Sequence, residues 1–115
     1  MSATTAAGAR RSELHDGYRE LHRRIPGPMK GFADLHRAAL AEGELSHVTK
    51  ELMATAIGVV TRCDDCVTLH LHEALRAGAT EEQVLETIAV AVLMGGGPAS
   101  TAATRALDTL HEFTD

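Results

Sequence analysis

Apolar positions recur at helical spacing along most of this chain. Over residues 52–60 they form one broad surface, and over residues 84–93 they repeat every three or four positions. No stretch shows the sustained alternation of apolar and polar residues that a half-buried strand requires. The pattern therefore predicts an all-α fold of about six helices, whose short connections favour packed antiparallel neighbours.

Capping and helix-breaking residues predict where the first helices begin and end. Ser12 would cap a helix that runs to about Arg24, and a second helix would follow the break at 25–28 and stop near Gly43. Ser46 is the expected N-cap of a third helix. We expect the first two helices to serve as scaffold.

The later helices have clearer boundaries. A fourth would start near Asp64 or Asp65 and end at Gly78, a preferred residue just past a helix terminus. Residues 80–83, TEEQ, have the spacing of a capping box for a fifth helix. The GGGP run at 95–98 would end that helix, and its proline would open a last one.

Residues 1–11 are small, polar and unpatterned, so we expect a loose arm without chemical function, followed by a single helical domain over residues 12–115. With one Tyr, two Phe and no Trp, the core must be built from smaller side chains that bury little area each. A chain of 115 residues with such a core is marginally stable alone, which favours self-association.

Charge and hydropathy exclude several classes of function. The net charge is −5, and basic residues adjoin only at 10–11 and 23–24, so no nucleic-acid footprint is expected. No apolar run of about 18 residues is uninterrupted, which predicts no membrane insertion and no secretion and makes the cytoplasm the expected location. In that reducing compartment a C-x-x-C pair is more typical of catalysis or metal binding than of a structural disulfide.

The candidate chemistry lies in residues 62–72, RCDDCVTLHLH, which contain both cysteines of the chain. Cys66 would lie in the first turn of the fourth helix, where free N–H groups and the helix dipole stabilise a thiolate. Asp64 and Asp65 act in the opposite direction, because nearby carboxylates favour the protonated thiol. His70 follows Cys66 by one turn and could exchange a proton with its sulfur.

The same residues leave a metal site and inert thiols open. Cys63, Cys66, His70 and His72 make four potential ligands, but His72 faces the opposite side of the helix, and zinc usually takes its second pair from a distant segment. His47, His36 or a carboxylate could complete the set. The histidines outside this stretch are expected to be solvated among charged neighbours, and they are His15, His22, His36, His47 and His111.

Glu51 is the other candidate, at the start of the run ELMATAIGVV. Taken alone, a glutamate in the first turns of a helix is most often solvated. Glu51, Thr55, Gly58 and Arg62 nevertheless share one helix face, and a mid-helix glycine costs about 1 kcal/mol relative to alanine unless space is needed there. A carboxylate beside that gap would suit a bound water or a close helix crossing.

Taken together, the spacing of Glu51, Cys63, Cys66 and His70 resembles the signature of the alkyl hydroperoxidase D-like (AhpD-like) proteins of the carboxymuconolactone decarboxylase superfamily, in its dithiol branch. The resemblance continues through HEALRAGATEEQVLETIAVAVLMGGGPA and covers roughly residues 44–105. It implies an AhpD-like helical fold that assembles as a homotrimer or homohexamer.

The resemblance also implies a function, that of a cofactor-free thiol peroxidase or thiol–disulfide oxidoreductase with no metal. Cys66 would attack a hydroperoxide, Cys63 would resolve the sulfenic acid into a disulfide, and His70 and Glu51 would relay protons through a water between them. The substrate would be a hydroperoxide or a disulfide, and the reductant a dithiol such as a lipoylated protein.

Two departures from the family pattern matter. Some members carry a histidine immediately before the second cysteine, where this chain has Asp65. True carboxymuconolactone decarboxylases lack the cysteine pair, so lactone decarboxylation ranks low. The alternatives are a metal-binding helical module that uses Cys63, Cys66 and His70, and a non-catalytic assembly protein of the same fold.

Overall fold

The computed structural model describes residues 5–115, a range that contains five α-helices and no strand. The helices are α1 (Ala6–Arg24), α2 (Pro26–Leu40), α3 (His47–Val60), α4 (Asp64–Arg76) and α5 (Glu81–Thr114). The all-α prediction is confirmed.

The predicted caps of the middle helices are present. Ser46 accepts a hydrogen bond from the N–H of Thr49 at the start of α3. Thr80 and Gln83 form the reciprocal capping box of α5, in which each side chain accepts the other residue's backbone N–H. These local interactions fix where the chain enters each helix.

The predicted break at the glycine run is a kink within α5, so the described residues contain one helix where two were expected. Gly96 has φ 70° and ψ −150°, a left-handed conformation that favours glycine, while helical structure resumes at once on either side. Pro98 lies in the first turn beyond the kink, where its missing N–H removes no hydrogen bond that the helix needs. The two halves of α5 can therefore take different directions.

The prediction of a loose arm is wrong for residues 6–11, and residues 1–4 lie outside the described part of the chain. Helix α1 begins at Ala6, because the side chain of Thr5 accepts the N–H of Gly8 at 2.9 Å. The N–H of Ala7 donates to Glu112 Oε1 at 2.8 Å, which ties the start of α1 to the end of α5. Small polar residues thus gain their order from a cap and a distant partner, which periodicity does not reveal.

The hydrophobic core lies among α3, α4 and α5. Its largest fully buried apolar side chains come from these three helices and are Val59, Leu71, Val84 and Leu110. Helices α1 and α2 cover one side of this core and bury little, namely Ala7 and Gly8 on α1 and Met29 on α2. Length and composition alone would allow α5 to cross a membrane, but its buried side belongs to this core and Gly96 divides it.

Candidate functional site

Cys63 and Cys66 form a disulfide at the start of α4, with their Cα atoms 5.2 Å apart. Arg62, in a left-handed conformation at φ 57°, turns the chain from the end of α3 into this segment. Cys63 is the N-cap of α4, and its Sγ accepts the backbone N–H of Cys66 at 3.2 Å. The cysteine pair is therefore held at the positive end of a helix.

A close crossing of α3 and α4 positions this pair. A Cβ added at Gly58 would lie 3.1 Å from Val67 Cγ2 and 3.4 Å from Cys66 Cβ. The gap predicted on the face of α3 thus admits the backbone of α4, which is the helix-crossing alternative. This contact brings the Glu51 side of α3 towards His70 on α4.

Glu51 is almost fully buried, with 2% of its surface exposed, and contacts His70 directly. His70 Nδ1 lies 2.7 Å from Glu51 Oε1, a hydrogen-bond distance. The expectation of a water between these two residues is therefore wrong for His70 Nδ1 and Glu51 Oε1, because these two atoms are in direct hydrogen-bond contact. The expectation that a lone Glu51 would be solvated also fails, since the crossing of α3 and α4 encloses it.

A second histidine contacts the other oxygen of Glu51. His47 Nε2 lies 3.5 Å from Glu51 Oε2, and His47 Nδ1 lies 2.6 Å from the carbonyl oxygen of Leu40. The sequence interpretation placed His47 among solvated residues, which is wrong. Its position four residues before Glu51 was the available signal, since residues at that spacing lie on one helix face.

His36 on α2 also joins the group. Its ring stacks on that of His70, with ring centroids 5.7 Å apart and planes inclined by 25°. Only the tertiary fold, in which α2 packs on α1 and α3, brings these rings together, and no short-range pattern encodes that contact. Helix α2 therefore contributes side chains to the site as well as support.

These residues open onto a cleft of about 760 Å³ between the α1–α2 pair and the α3–α4 crossing. Cys66, His70, Glu51, His47 and His36 all line it, and Cys63 is not among the lining residues. Its apolar wall includes Tyr18, Met29, Phe32, Leu40 and Leu69. Within residues 5–115, no group of three or more His, Cys, Asp and Glu side chains is arranged to hold a metal ion.

The two aspartates beside the cysteines are both paired with arginines. Arg10 binds Asp65 through two hydrogen bonds, Nε to Oδ1 at 2.9 Å and Nη2 to Oδ2 at 2.7 Å. The hydrogen bond from Arg10 lowers the pKa of Asp65, with its positive charge acting in the same direction and burial opposing it. Arg105 Nη1 lies 3.2 Å from Asp64 Oδ2. Their negative charges are thus partly compensated, and Arg10 falls in the segment for which no chemical role was expected.

His72 lies apart from the cleft, as its facing on α4 predicted. Its ring packs edge-on against Phe113 with centroids 4.8 Å apart, and its Nδ1 lies 3.5 Å from Glu73 Oε2 without forming a well-aligned hydrogen bond. Burial lowers the pKa of His72, and the positive charge of Arg11 lowers it further. The side chain is therefore a packing residue of the α4–α5 contact.

Curated relatives share much of this sequence. An uncharacterized protein of Cupriavidus necator is 39% identical over 104 residues, which cover 90% of this chain and 92% of that protein. An uncharacterized protein encoded in the cox locus of Paracoccus denitrificans is 42% identical over 82 residues, 71% of this chain and 74% of the relative.

Solved structures share the fold. A carboxymuconolactone decarboxylase family protein of Legionella pneumophila superposes with a TM-score of 0.90 at 34% identity, covering 95% of this chain and 97% of its own. One from Thermotoga maritima, described with a possible involvement in antioxidative response, gives 0.82 at 32% identity, covering 90% and 88%. The sequence model of the carboxymuconolactone decarboxylase family matches residues 26–109. This chain belongs to the carboxymuconolactone decarboxylase family, with a cysteine pair of the AhpD-like kind.

Proposed function

We propose that this protein is a cofactor-free thiol peroxidase, and more broadly a thiol–disulfide oxidoreductase, that reduces organic hydroperoxides. The observation that carries the proposal is the Cys63–Cys66 disulfide at a helix start, with Cys66 lining the same cleft as the buried Glu51–His70 pair. Family membership together with this disulfide is compatible with AhpD-like activity.

The reaction begins from the reduced dithiol. The Cys66 thiolate attacks the terminal oxygen of the hydroperoxide and breaks the O–O bond, which forms a sulfenic acid and an alkoxide that takes up a proton to leave as an alcohol. The Cys63 thiol then attacks the sulfenic sulfur, releasing water and closing the disulfide. The substrate is reduced by two electrons, and the two sulfurs are oxidised by two.

His70 and Glu51 supply the proton handling. Because His70 Nδ1 hydrogen-bonds Glu51 Oε1, its Nδ1 donates when Glu51 is a carboxylate, which leaves Nε2 as the basic nitrogen. That nitrogen can accept the Cys66 proton and later return it to the leaving alkoxide. The helix start adds to the stability of the thiolate through its dipole and its free N–H groups.

A second dithiol must reduce the disulfide after each turnover. A lipoylated protein has the required chemistry, since a dihydrolipoyl group transfers two electrons and two protons and closes its own ring disulfide. The open cleft beside Cys66 gives such a group access. We expect this chemistry to take place in the cytoplasm, and the antioxidative description of the Thermotoga maritima neighbour is in line with it.

Self-association is part of the proposal. The outer faces of α3 and α5 carry large apolar side chains that leave about half or more of their surface exposed, including Met53, Ile57, Val90, Leu93 and Met94. Copies of this chain would cover them in a homotrimer or homohexamer, because exposed apolar side chains in such number favour association. Light scattering of the purified protein measures the assembly directly.

Mass spectrometry after one equivalent of an organic hydroperoxide tests the reaction. The reduced wild-type protein should lose two hydrogens, and Cys63→Ser should retain one added oxygen as a trapped sulfenic acid. Cys66→Ser should show neither change, and turnover should stop. Peroxide consumption by Cys66→Ser at the wild-type rate would overturn the proposal.

A further inference from the structure

His47 is held at both ring nitrogens. Its Nδ1 lies 2.6 Å from the carbonyl oxygen of Leu40, and its Nε2 lies 3.5 Å from Glu51 Oε2. A carbonyl oxygen can only accept, so the Nδ1 of His47 must carry a hydrogen. The peptide carbonyl at the end of α2 therefore selects the tautomer of this histidine.

This tautomer has a consequence for Glu51. If His47 is neutral with its hydrogen on Nδ1, its Nε2 and Glu51 Oε2, 3.5 Å apart, both present lone pairs and no hydrogen. The contact between Nε2 and Oε2 becomes favourable only when one proton lies on His47 Nε2 or on Glu51 Oε2. His47 and Glu51 therefore share a proton, and its position decides whether Glu51 is charged.

The exposure of the three side chains places them in order from solvent inwards. The side chain of His47 is 38% exposed and lines the cleft, that of His70 is 19% exposed, and Glu51 is 2% exposed. His47 contacts one oxygen of the carboxylate and His70 the other. The buried Glu51 thus contacts a solvent-accessible histidine, His47, on the side away from His70.

We propose that His47 is a positioning residue of this site, which holds Glu51 by its second oxygen and keeps it ionised towards His70 by carrying the shared proton. An ionised Glu51 orients His70 with Nδ1–H inwards and leaves His70 Nε2 free to accept the Cys66 proton. Without the cation, the carboxylate of Glu51 loses the partner of its second oxygen, and a less firmly held carboxylate supports the basicity of His70 less well. The inference rests on the proposed function of Cys66, which it extends to a residue outside the Glu51, Cys66 and His70 set.

Several charged or titratable groups surround His47 and enter the same balance. The backbone N–H of His47 donates to Glu42 Oε1 at 3.0 Å. The other charged or titratable groups of the cleft are Arg11, His15, Tyr18, His22, His36, Arg37, Glu51, His70, Glu73 and Arg76, and Lys50 lies on the same helix as His47. Among the described residues, Glu51 is the acidic side chain that lies within ion-pair distance of a His47 ring nitrogen.

Alkylation of Cys66 measures the effect without requiring peroxide turnover. In a reduced Cys63→Ser background, the rate of reaction with iodoacetamide is followed against pH. His47→Leu should move the midpoint of this profile upwards and slow alkylation at pH 7 by about tenfold, because one lost ion-pair partner corresponds to about one logarithmic unit. His47→Gln can still donate a hydrogen bond to Glu51 and should recover part of the rate.

The control is His111→Leu, which removes a half-exposed histidine of α5 that does not line the cleft. It should leave the alkylation profile unchanged. Alkylation rates of His47→Leu that match wild type within twofold overturn the proposal. A nitrogen-15 NMR spectrum that shows an unprotonated Nδ1 on His47 at neutral pH overturns it as well. If alkylation shifts as expected while no peroxide is consumed, the proposed peroxidase function fails and the role of His47 stands.

Discussion

The α3–α4 crossing and the α1–α2 pair form opposite walls of one cleft, and they are built differently. At the crossing, Gly58 admits the neighbouring helix to within contact distance, and Val59 and Leu71 are fully buried. The α1–α2 pair leaves large side chains such as Phe32 and Leu35 at least half exposed. Cys66 and the Glu51–His70 pair thus lie on the densely packed wall, while the opposite wall is attached more loosely.

This difference separates two requirements of the proposed chemistry. Proton transfer between Glu51, His70 and Cys66 requires fixed distances, which close packing supplies. Substrates and a reducing dithiol must enter and leave, which a lightly packed wall permits. His36 is the exception, because it reaches the fixed group from the looser wall by stacking on His70.

Truncation of a core side chain should give the largest contrast between the walls. Leu71→Ala removes a side chain that is 0% exposed and should destabilise the protein by about 3 kcal/mol through lost burial and a residual cavity. Leu35→Ala, on α2, removes the same atoms from a position that is 64% exposed and should change stability by less than about 0.5 kcal/mol. Urea unfolding at one protein concentration measures both, and equal losses would contradict the contrast.

Filling the helix crossing should have the next largest effect. Gly58→Val places methyl groups where even a Cβ lies 3.1 Å from Val67 Cγ2, so overpacking should cost about 1–3 kcal/mol. Gly31→Val is the matched control on α2, because a Cβ there meets nothing within 4 Å. Thermal unfolding should show a lower midpoint for the first variant alone. A midpoint unchanged by Gly58→Val would mean that α3 and α4 are not in close contact.

The link between the two walls should respond to pH. Arg10 on α1 hydrogen-bonds Asp65 on α4 and lowers the pKa of that carboxyl group. A carboxyl group with a lowered pKa in the folded state contributes stability above its unfolded pKa, and the contribution is lost as pH falls through the folded value. Arg10→Ala should return the Asp65 pKa towards its ordinary value, as measured by carbon-13 NMR titration.

The control for this variant is Arg19→Ala, whose arginine pairs with Asp16 within α1. It should leave the titration of Asp65 unchanged. An Asp65 that titrates identically with and without Arg10 would show that α1 does not contact α4 at this point. The protection factors of α1 amides should fall in acid for wild type, and should already be lower at neutral pH in Arg10→Ala.

His72, on the side of α4 that packs against α5, should give the smallest effect, a change in how stability depends on pH. Burial lowers the pKa of His72, so the unfolded state takes up a proton at higher pH than the folded state does. Stability is therefore full above the ordinary histidine range and falls as pH drops through it. His72→Leu should flatten this slope between about pH 7 and pH 5.5, as followed by urea midpoints at each pH. If the slope of stability against pH is the same in His72→Leu and wild type, another titrating group causes it.

The sequence predicts the locally determined features well. The caps at Ser46 and Thr80 and the facing of His72 depend on short-range spacing, and the structure has all three, while the break at the glycine run is present as a kink. The face of α3 that contains Glu51 and Gly58 was identified from periodicity together with the cost of a mid-helix glycine.

The features that were missed depend on contacts between distant segments. Arg10 reaches Asp65 across 55 positions, and Ala7 reaches Glu112 across 105, so neither pairing appears in any local pattern. His36 approaches His70 only because the tertiary fold brings the long side chains of α2 and α4 across the cleft. The direct contact between Glu51 and His70 follows from the closeness of the α3–α4 crossing, a distance that residue spacing alone does not set.

The sulfur atom of Cys63 takes part in two interactions at the start of α4. Cys63 Sγ accepts the first-turn N–H of Cys66 and is also bonded to the Cys66 sulfur. Reduction of the disulfide therefore changes the chemical state of the atom that caps α4. The hydrogen bond from the Cys66 N–H to this sulfur should change with each reduction. Order in the first turn of α4 is in this way a reporter of the oxidation state of the dithiol, readable in the amide signals of residues 64–67 without any substrate present.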